Sequence, residues 1–262
     1  MTELVVTLLF LFLKTGEKFA TQEAAGPTVA EFTKYAGRQV GGVAFEPQVM
    51  NDPIKAVEWC GARQPAVGIV TPGFFLTYAK ALGMEPLLET HRQGVGTERF
   101  VLVAKKDASE NLEDWTGRTI VTSLAAEERY VRGVILQNRL GDELRLKQTG
   151  DNEGAVFDLV EGAADAGDAV LLEEAAWKLF AEDAELGGKL KVIYRSDELL
   201  AELVVVFRPQ AEKLNVERFK AALKAMKDSP DGQPVLRSIR VVEFVDVNQD
   251  RLEKARALFQ GK

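Results

Sequence analysis

Residues 117–128 read GRTIVTSLAAEE, and the chemistry open to them is the binding of an anion. A strand that runs into a helix through the hydroxyls of Thr122 and Ser123 can leave several backbone N–H groups unpaired and aimed outward, which favours an oxoanion. The same residues also read as a plain N-cap. With Ser123 as the cap, Ala126 takes the third helical position and Glu127 and Glu128 fall in the first turns, where the helix dipole favours acids. Both readings stay open on these residues alone.

Catalytic and metal chemistry finds little to work with. His91 is the only histidine and Cys60 the only cysteine, so neither a histidine cluster nor a thiolate zinc site can form, and an intramolecular disulfide is impossible. Cys60 reads as a buried free thiol. No G-x-x-x-x-G-K-[ST] occurs, and Gly94-Val95-Gly96 leads into a strand-like run where a dinucleotide motif would open a helix. A Ser/His/Asp triad would have to recruit His91 from a connecting segment with no nucleophile elbow. Glu127-Glu128 and Glu173-Glu174 point to different sides of a helix and read as solvated faces or first-turn acids. No catalytic residue, metal or cofactor is expected. The balance of 33 basic against 40 acidic residues gives a net charge of −7, with no basic block or aromatic-interleaved basic stripe, so nucleic acid is set aside as a partner.

The elements that must position these residues follow from apolar patterning. With 262 residues, 46% of them hydrophobic, the chain can bury the core of one large domain or two lobes. The run at 4–13 is too short to span a bilayer and reads as a buried strand; as a signal peptide it lacks a basic start, although 20–25 resembles a loose cleavage region. Strands are expected at 4–13, 40–45 and 66–70, with helices at 28–37, 52–60 and 73–82 between and after them, an order that argues for a mostly parallel sheet flanked by helices. A second α/β set follows, with strands at 100–104, 119–121, 145–148, 166–171 and 190–194 and helices at 124–140, 153–161 and through Trp177. A strand at 203–207 and a helix at 216–226 follow, and the final strand at 239–245 and helix at 248–259 are too little to fold alone. They are expected to dock on the first lobe, giving lobe 1 as 1–96 plus 209–262, lobe 2 as 106–201, and hinge crossovers at 97–105 and 202–208, with a ligand in the interlobe cleft.

Five passages together resemble the phosphate, phosphite and phosphonate-binding proteins of ABC importers, within the type II periplasmic-binding fold. PAVGIVTPGFFLTYAKALG (65–83) is similar to that family's strand, Gly-Pro turn and aromatic-bearing helix, and TERFVLVAKKDA (97–108) to its first crossover strand. LEDWTGRTIVTS (112–123) resembles the lead into its ligand-binding helix, VEGAADAGDAV (160–170) its Gly-x-x-Asp-Ala-Gly strand, and ERFKAALKAMKDSPDGQPVLRS (217–238) its closing helix and turn. The resemblance spans nearly the whole chain in the right order. It implies a two-lobed α/β fold, a small-molecule ligand, an ABC permease as partner, a monomer, and a periplasmic or extracytoplasmic location. It places ligand contacts at Thr71, Gly73, Phe74, Phe75, Arg99, Thr122, Ser123, Leu124 and Asp168. A ligand-sensing domain and a bilobal enzyme of cofactor biosynthesis are the alternatives that share this fold.

The departures from the family pattern bear on the ligand. Where the family has a run of Ser, Thr and Gly around the anion, this chain has Thr122 and Ser123 followed by Leu124 and Ala125; where it has Pro-Ala-Ser-Tyr, this chain has Pro72-Gly73-Phe74-Phe75. Hydroxyls have been exchanged for apolar groups, with Arg99, Arg129 and Arg132 near enough in sequence to supply charge. An organic anion therefore suits the expected site better than bare phosphate. One of Phe74 and Phe75 is expected in the core, because neighbouring helical residues face different directions.

Overall fold

The computed structural model describes residues 5–92, 98–140, 143–183 and 185–261. Leu4, Gly94-Val95-Gly96 and Thr97, which entered the expectations above, lie outside the described residues. In chain order the elements begin β1 (Val6–Leu13), α1 (Gln22–Val40), β2 (Val43–Met50), α2 (Pro53–Arg63), β3 (Val67–Val70), α3 (Pro72–Leu82) and β4 (Met84–His91). They continue with β5 (Phe100–Lys105), β6 (Thr119–Thr122), a single turn α4 (Glu128–Tyr130), β7 (Arg145–Gln148), α5 (Asn152–Glu161), β8 (Ala169–Glu173), α6 (Glu174–Ala181) and β9 (Leu190–Arg195). The last are β10 (Leu203–Phe207), α7 (Arg208–Ala211), α8 (Val216–Ala225), α9 (Gly232–Ser238), β11 (Glu243–Asp246) and α10 (Gln249–Phe259). Among the described residues no helix is long and apolar enough to cross a membrane.

The chain forms two compact units. Unit 1 comprises Met1–Thr15, Phe19–Gly96 and Leu200–Gln249, and unit 2 comprises Gly16–Lys18, Thr97–Leu199 and Asp250–Lys262. Unit 1 is built on a six-stranded sheet of order β11-β4-β10-β3-β1-β2, and unit 2 on a five-stranded sheet of order β7-β6-β8-β5-β9. Both are flanked by helices, as an α/β chain requires, and in each sheet four strands run in one direction, with β10 and β11 against them in unit 1 and β5 against them in unit 2. β1 runs parallel to β2 and β3, and β6 to β7 and β8, whereas β10 is antiparallel to β3 and β4, and β5 to β8 and β9. Of the strands that run against the rest, β5, β10 and β11, the first two are those with which the chain enters a unit after leaving the other, and apolar periodicity carries no record of that direction. Residues 97–105 and 202–208, expected as hinge crossovers, consist mainly of these two interior strands, whose LVVVF and FVLVA runs are buried throughout because both faces and both edges are covered.

The core of unit 1 is aromatic at its centre. Phe10 packs edge-on against Phe32 and Phe45, Phe45 meets Phe219, and Phe32 meets Phe244, so α1, α8 and β11 are fixed to the β1 face. Gly68 lets β3 lie close to β1, since a Cβ there would sit 2.8 Å from the Leu11 carbonyl oxygen. The unit 2 core joins Val101, Val103, Val121, Val156, Trp177 and Phe180.

Three element boundaries differ from expectation for identifiable reasons. Helix α1 begins at Gln22 on a Thr21 cap that accepts from the Ala24 N–H, and Pro27 sits inside it rather than before it. β2 starts at Val43 because Gly41 and Gly42, at φ 73° and 67°, separate it from α1, and its Pro47 is tolerated on an edge strand. The expected 209–262 portion of lobe 1 divides. β11 pairs with β4 in unit 1, but from Asp250 onward the chain belongs to unit 2, where Arg129 Nε donates to the Phe259 carbonyl at 3.0 Å and stacks over its ring at 4.4 Å.

Candidate functional site

In unit 1 the polar residues gather at the carboxyl ends of β1 and β3, the end at which open α/β sheets take ligands. Thr71 caps α3: its Oγ1 accepts from the Phe74 N–H at 3.4 Å and lies 3.3 Å from Thr15 Oγ1, both threonines being buried. Pro72 has no N–H, so Gly73 carries the first amide of α3, which helix geometry leaves without an intrahelical acceptor. In the same unit, Glu202 receives Arg92 at 2.7 Å and Lys14, the residue before Thr15, at 3.1 Å. Burial pushes the Glu202 carboxyl up, but the charges and hydrogen bonds of Arg92 and Lys14 outweigh it and hold the group below the usual carboxylate range. Glu89, fully buried on β4, accepts the Asn248 N–H at 2.6 Å and the Ala201 N–H at 3.4 Å.

Phe74 and Phe75 are both fully buried, not one of them, and Phe74 packs on Tyr78 with ring centroids 5.0 Å apart. The turn at α3 thus has two buried hydroxyls and a helix amide at its polar end and two phenyl groups directly after it.

In unit 2 the expected helix over 124–140 does not form as one element. A 3-10 turn at Ala125–Glu127 gives way to α4 and then to a π-helical turn at Val131–Ile135, closed by Leu136 N–H to the Val131 carbonyl at 2.9 Å. Gln137 and Asn138 follow in the left-handed region at φ 51° and 55°, which ends the run. Ser123 is not its cap. The Ser123 N–H donates to Asn152 Oδ1 at 2.9 Å, Asn152 Nδ2 donates back to Ser123 Oγ at 3.0 Å, and the Leu124 N–H donates to Thr122 Oγ1 at 3.3 Å. Gln148 takes the remaining role, accepting the Ala126 N–H at 3.1 Å and donating to the Ser123 carbonyl at 2.8 Å. Amides expected to face an anion are therefore held by side chains of β7 and α5, and what the turn presents is the hydroxyl pair of Thr122 and Ser123, both buried, with Leu124 beside them.

The charged candidates have protein partners. Arg99 pairs with Glu198 at 2.8 Å; Arg132 pairs with Glu128 at 2.6 Å and donates to the Leu144 carbonyl; Arg129 is occupied by Phe259 as described. Asp168 accepts from Arg118 at 2.9 Å and from the Thr119 N–H at 2.8 Å, which fixes the start of β6. His91 Nδ1 lies 3.5 Å from Glu243, itself 2.6 Å from Lys227. Among the described residues no group of three or more His, Cys, Asp or Glu side chains could hold a metal ion. Sequence reasoning missed Thr15, Glu202, Lys14, Arg92, Gln148 and Asn152. The signal available for two of them was an acid directly before the LVVVF run and a base directly after LFLFL, where a charge abutting an interior strand needs a partner.

Comparison with known proteins adds to this geometry. Residues 19–252 match the family described as "ABC transporter, phosphonate, periplasmic substrate-binding protein". No curated protein matches the sequence. Among solved structures the chain is similar to a Xanthomonas citri protein bound to ATP, with a TM-score of 0.74 at 15% identity over 97% of both chains. It is also similar to PhnD1 from Prochlorococcus marinus in complex with methylphosphonate, with a TM-score of 0.67 at 11% identity over 97% of both chains. A binding protein component of an ABC phosphonate transporter from Pseudomonas aeruginosa gives 0.65 at 14% identity, over 96% of this chain and 85% of that one. At these identities the structural likeness shows a shared fold.

Proposed function

The chain belongs to the periplasmic phosphonate substrate-binding proteins of ABC transporters, and from that premise we propose that it binds a small organic anion with a phosphonate-like head and passes it to an ABC permease. The observation that carries this reading is the Thr15–Thr71 hydroxyl pair at the cap of α3, 3.3 Å apart and buried, beside the Gly73 amide. Hydroxyls and a helix N-terminus together suit an oxoanion, because each donates without bringing a full charge of its own. In unit 2 the hydroxyls of Thr122 and Ser123 are the other donors, and the apolar residues that follow each hydroxyl set in sequence, Phe74-Phe75 and Leu124, favour a carbon substituent over the fourth oxygen of phosphate. Arg99 and Asp168 keep their protein partners and serve the framework. The protein acts as a monomer in the periplasm, without catalysis.

Isothermal titration with methylphosphonate, longer alkyl and aryl phosphonates, carboxylates and inorganic phosphate tests the reading. Affinity is expected to rise with the apolar substituent. Tight binding of inorganic phosphate with no gain from a substituent would overturn the organic-anion part, and failure to bind any oxoanion would overturn the whole.

A further inference from the structure

The amino end of the unit 1 sheet carries a notch that the anion-binding reading does not use. Alternate peptide groups of β1 face alternate neighbours. The Val6 N–H reaches the Gly42 carbonyl on the β2 side at 3.0 Å, and the Leu9 carbonyl accepts the Ala66 N–H on the β3 side at 2.9 Å. By that alternation the Thr7 N–H and carbonyl and the Leu9 N–H turn toward β3 as well. Yet β3 begins at Val67, which lies opposite Phe10, so no strand stands beside them. The next strand across, β10, ends at Phe207, whose N–H donates to the Ala66 carbonyl at 2.9 Å. An edge of β1 is thus left open inside the sheet rather than at its rim. The notch is a cavity of about 590 Å³ lined by residues of unit 1 alone, within the size range of ligand sites. Its charged lining residues are Arg63, at the end of α2, and Lys213, after α7; among the described residues no acid lines it, in a chain of net charge −7. Both cations are exposed, and among the described residues neither has an ion pair or a side-chain hydrogen bond. Gln210 Nε2 donates to Gln64 Oε1 at 3.2 Å, tying α7 to the end of α2, and Val6 forms a half-exposed apolar lip.

We propose that this notch binds an extended acidic peptide segment of a partner protein, which takes the place that a longer β3 would have filled. Along the open edge the groups run donor, acceptor, donor, from Thr7 N–H through Thr7 carbonyl to Leu9 N–H. A peptide backbone answers that order and a simple anion does not. Carboxylates of the segment meet Arg63 and Lys213, and an apolar residue between them rests on Val6. The notch stands at the start of β1, roughly 20 Å along that strand from Leu13, so it is separate from the Thr15–Thr71 hydroxyl pair and does not depend on the anion-binding reading.

The experiment titrates the full chain with acetylated, amidated Glu-Val-Glu-Val-Glu, with its lysine-for-glutamate counterpart, with a version N-methylated throughout, and with sodium glutarate. Calorimetry gives the affinity, and amide-proton exchange is followed at Thr7 and Leu9. The acidic peptide is expected to bind one to one and to slow exchange at both amides, while the lysine and N-methylated peptides do not bind. R63Q and K213Q, mild changes at exposed side chains, should each weaken binding about fivefold. The R63E/K213E double variant should lose the acidic peptide and take the lysine peptide instead, which also shows that its fold is intact. An acidic peptide that leaves both amides unprotected, or that binds R63Q and K213Q as tightly as wild type, would overturn the proposal. Equal binding of the N-methylated peptide would remove the strand pairing and overturn it too. Glutarate binding as tightly as the peptide would make the notch a simple anion site and count against a peptide partner.

Discussion

Replacing Glu202 by glutamine keeps the shape of the side chain and removes the charge that Arg92 and Lys14 share. Glu202 has 10% of its side chain exposed, Arg92 22% and Lys14 16%, so the two cations left behind are themselves poorly hydrated. Removing one partner of such a buried pair costs about 3–5 kcal/mol, and glutamine's remaining hydrogen bonds place the variant at the lower end. A loss of about 3 kcal/mol corresponds to roughly 6–12 °C in Tm for a protein of this size. The pH dependence fixes the cause. The folded carboxyl is held below its ordinary value, so its contribution is fully present above the unfolded pKa of about 4.3 and is lost as the pH falls through the lower folded value. Thermal unfolding of wild type and E202Q at about pH 7 should differ by the full amount, and the gap should narrow as the pH is lowered below the ordinary carboxylate value of about 4.3. Equal stability at neutral pH, or a gap that stays constant on acidification, would refute the assignment of the effect to charge.

Asp246 offers the opposite case: Lys220 and Lys224 hydrogen-bond its carboxyl and hold it down to about 2, yet it is exposed. D246N should therefore change stability by no more than a surface pair allows, about 1 kcal/mol or less, and that difference should fade as the pH falls from about 3.9 toward 2. Burial pushes the Cys60 thiol up to about 12, so a disulfide-exchange reagent at about pH 8 should label it only after unfolding; native labelling would contradict its packing. Ser123→Ala strands Asn152 Nδ2 rather than removing a cap, and should cost about 1 kcal/mol. A fall in phosphonate affinity measured alongside would place the hydroxyl on the ligand, whereas a lower Tm with unchanged affinity would confine it to the fold.

The α/β order, β1, β3, α3 and the two-unit division were legible because each is written locally. A β-branched or leucine-rich run marks the strand, and Thr71-Pro72 at the start of α3 joins a capping hydroxyl to a residue that fits the first helical position. The run at 124–140 has helical periodicity and still does not continue as a helix. Its first amides are claimed by Gln148 and Asn152, more than twenty residues away in sequence, and no local pattern announces that competition. The same limit hid the site's electrostatics. Glu202 meets Lys14 and Arg92 only because β10 lies between β3 and β4, and strand order is a property of the whole sheet. Arg99 and Asp168 carried the right chemistry for a ligand but found closer partners in Glu198 and Arg118.

The place of β10 between β3 and β4 also governs the order in which the chain can fold. Leu203 pairs with Val70 on one side and Glu89 on the other, so the edges of β3 and β4 that face β10 stay unpaired until more than a hundred further residues have been made. A growing chain that has finished β4 has two apolar strands with unpaired edges and nothing to insert between them, which is a template for association with other chains. Closing the sheet requires a pairing of high sequence separation, so its rate is set by loop closure rather than by local propensity. Unit 1 thus completes late, after the strands of unit 2 have been synthesised, even though it contains the first strand of the protein.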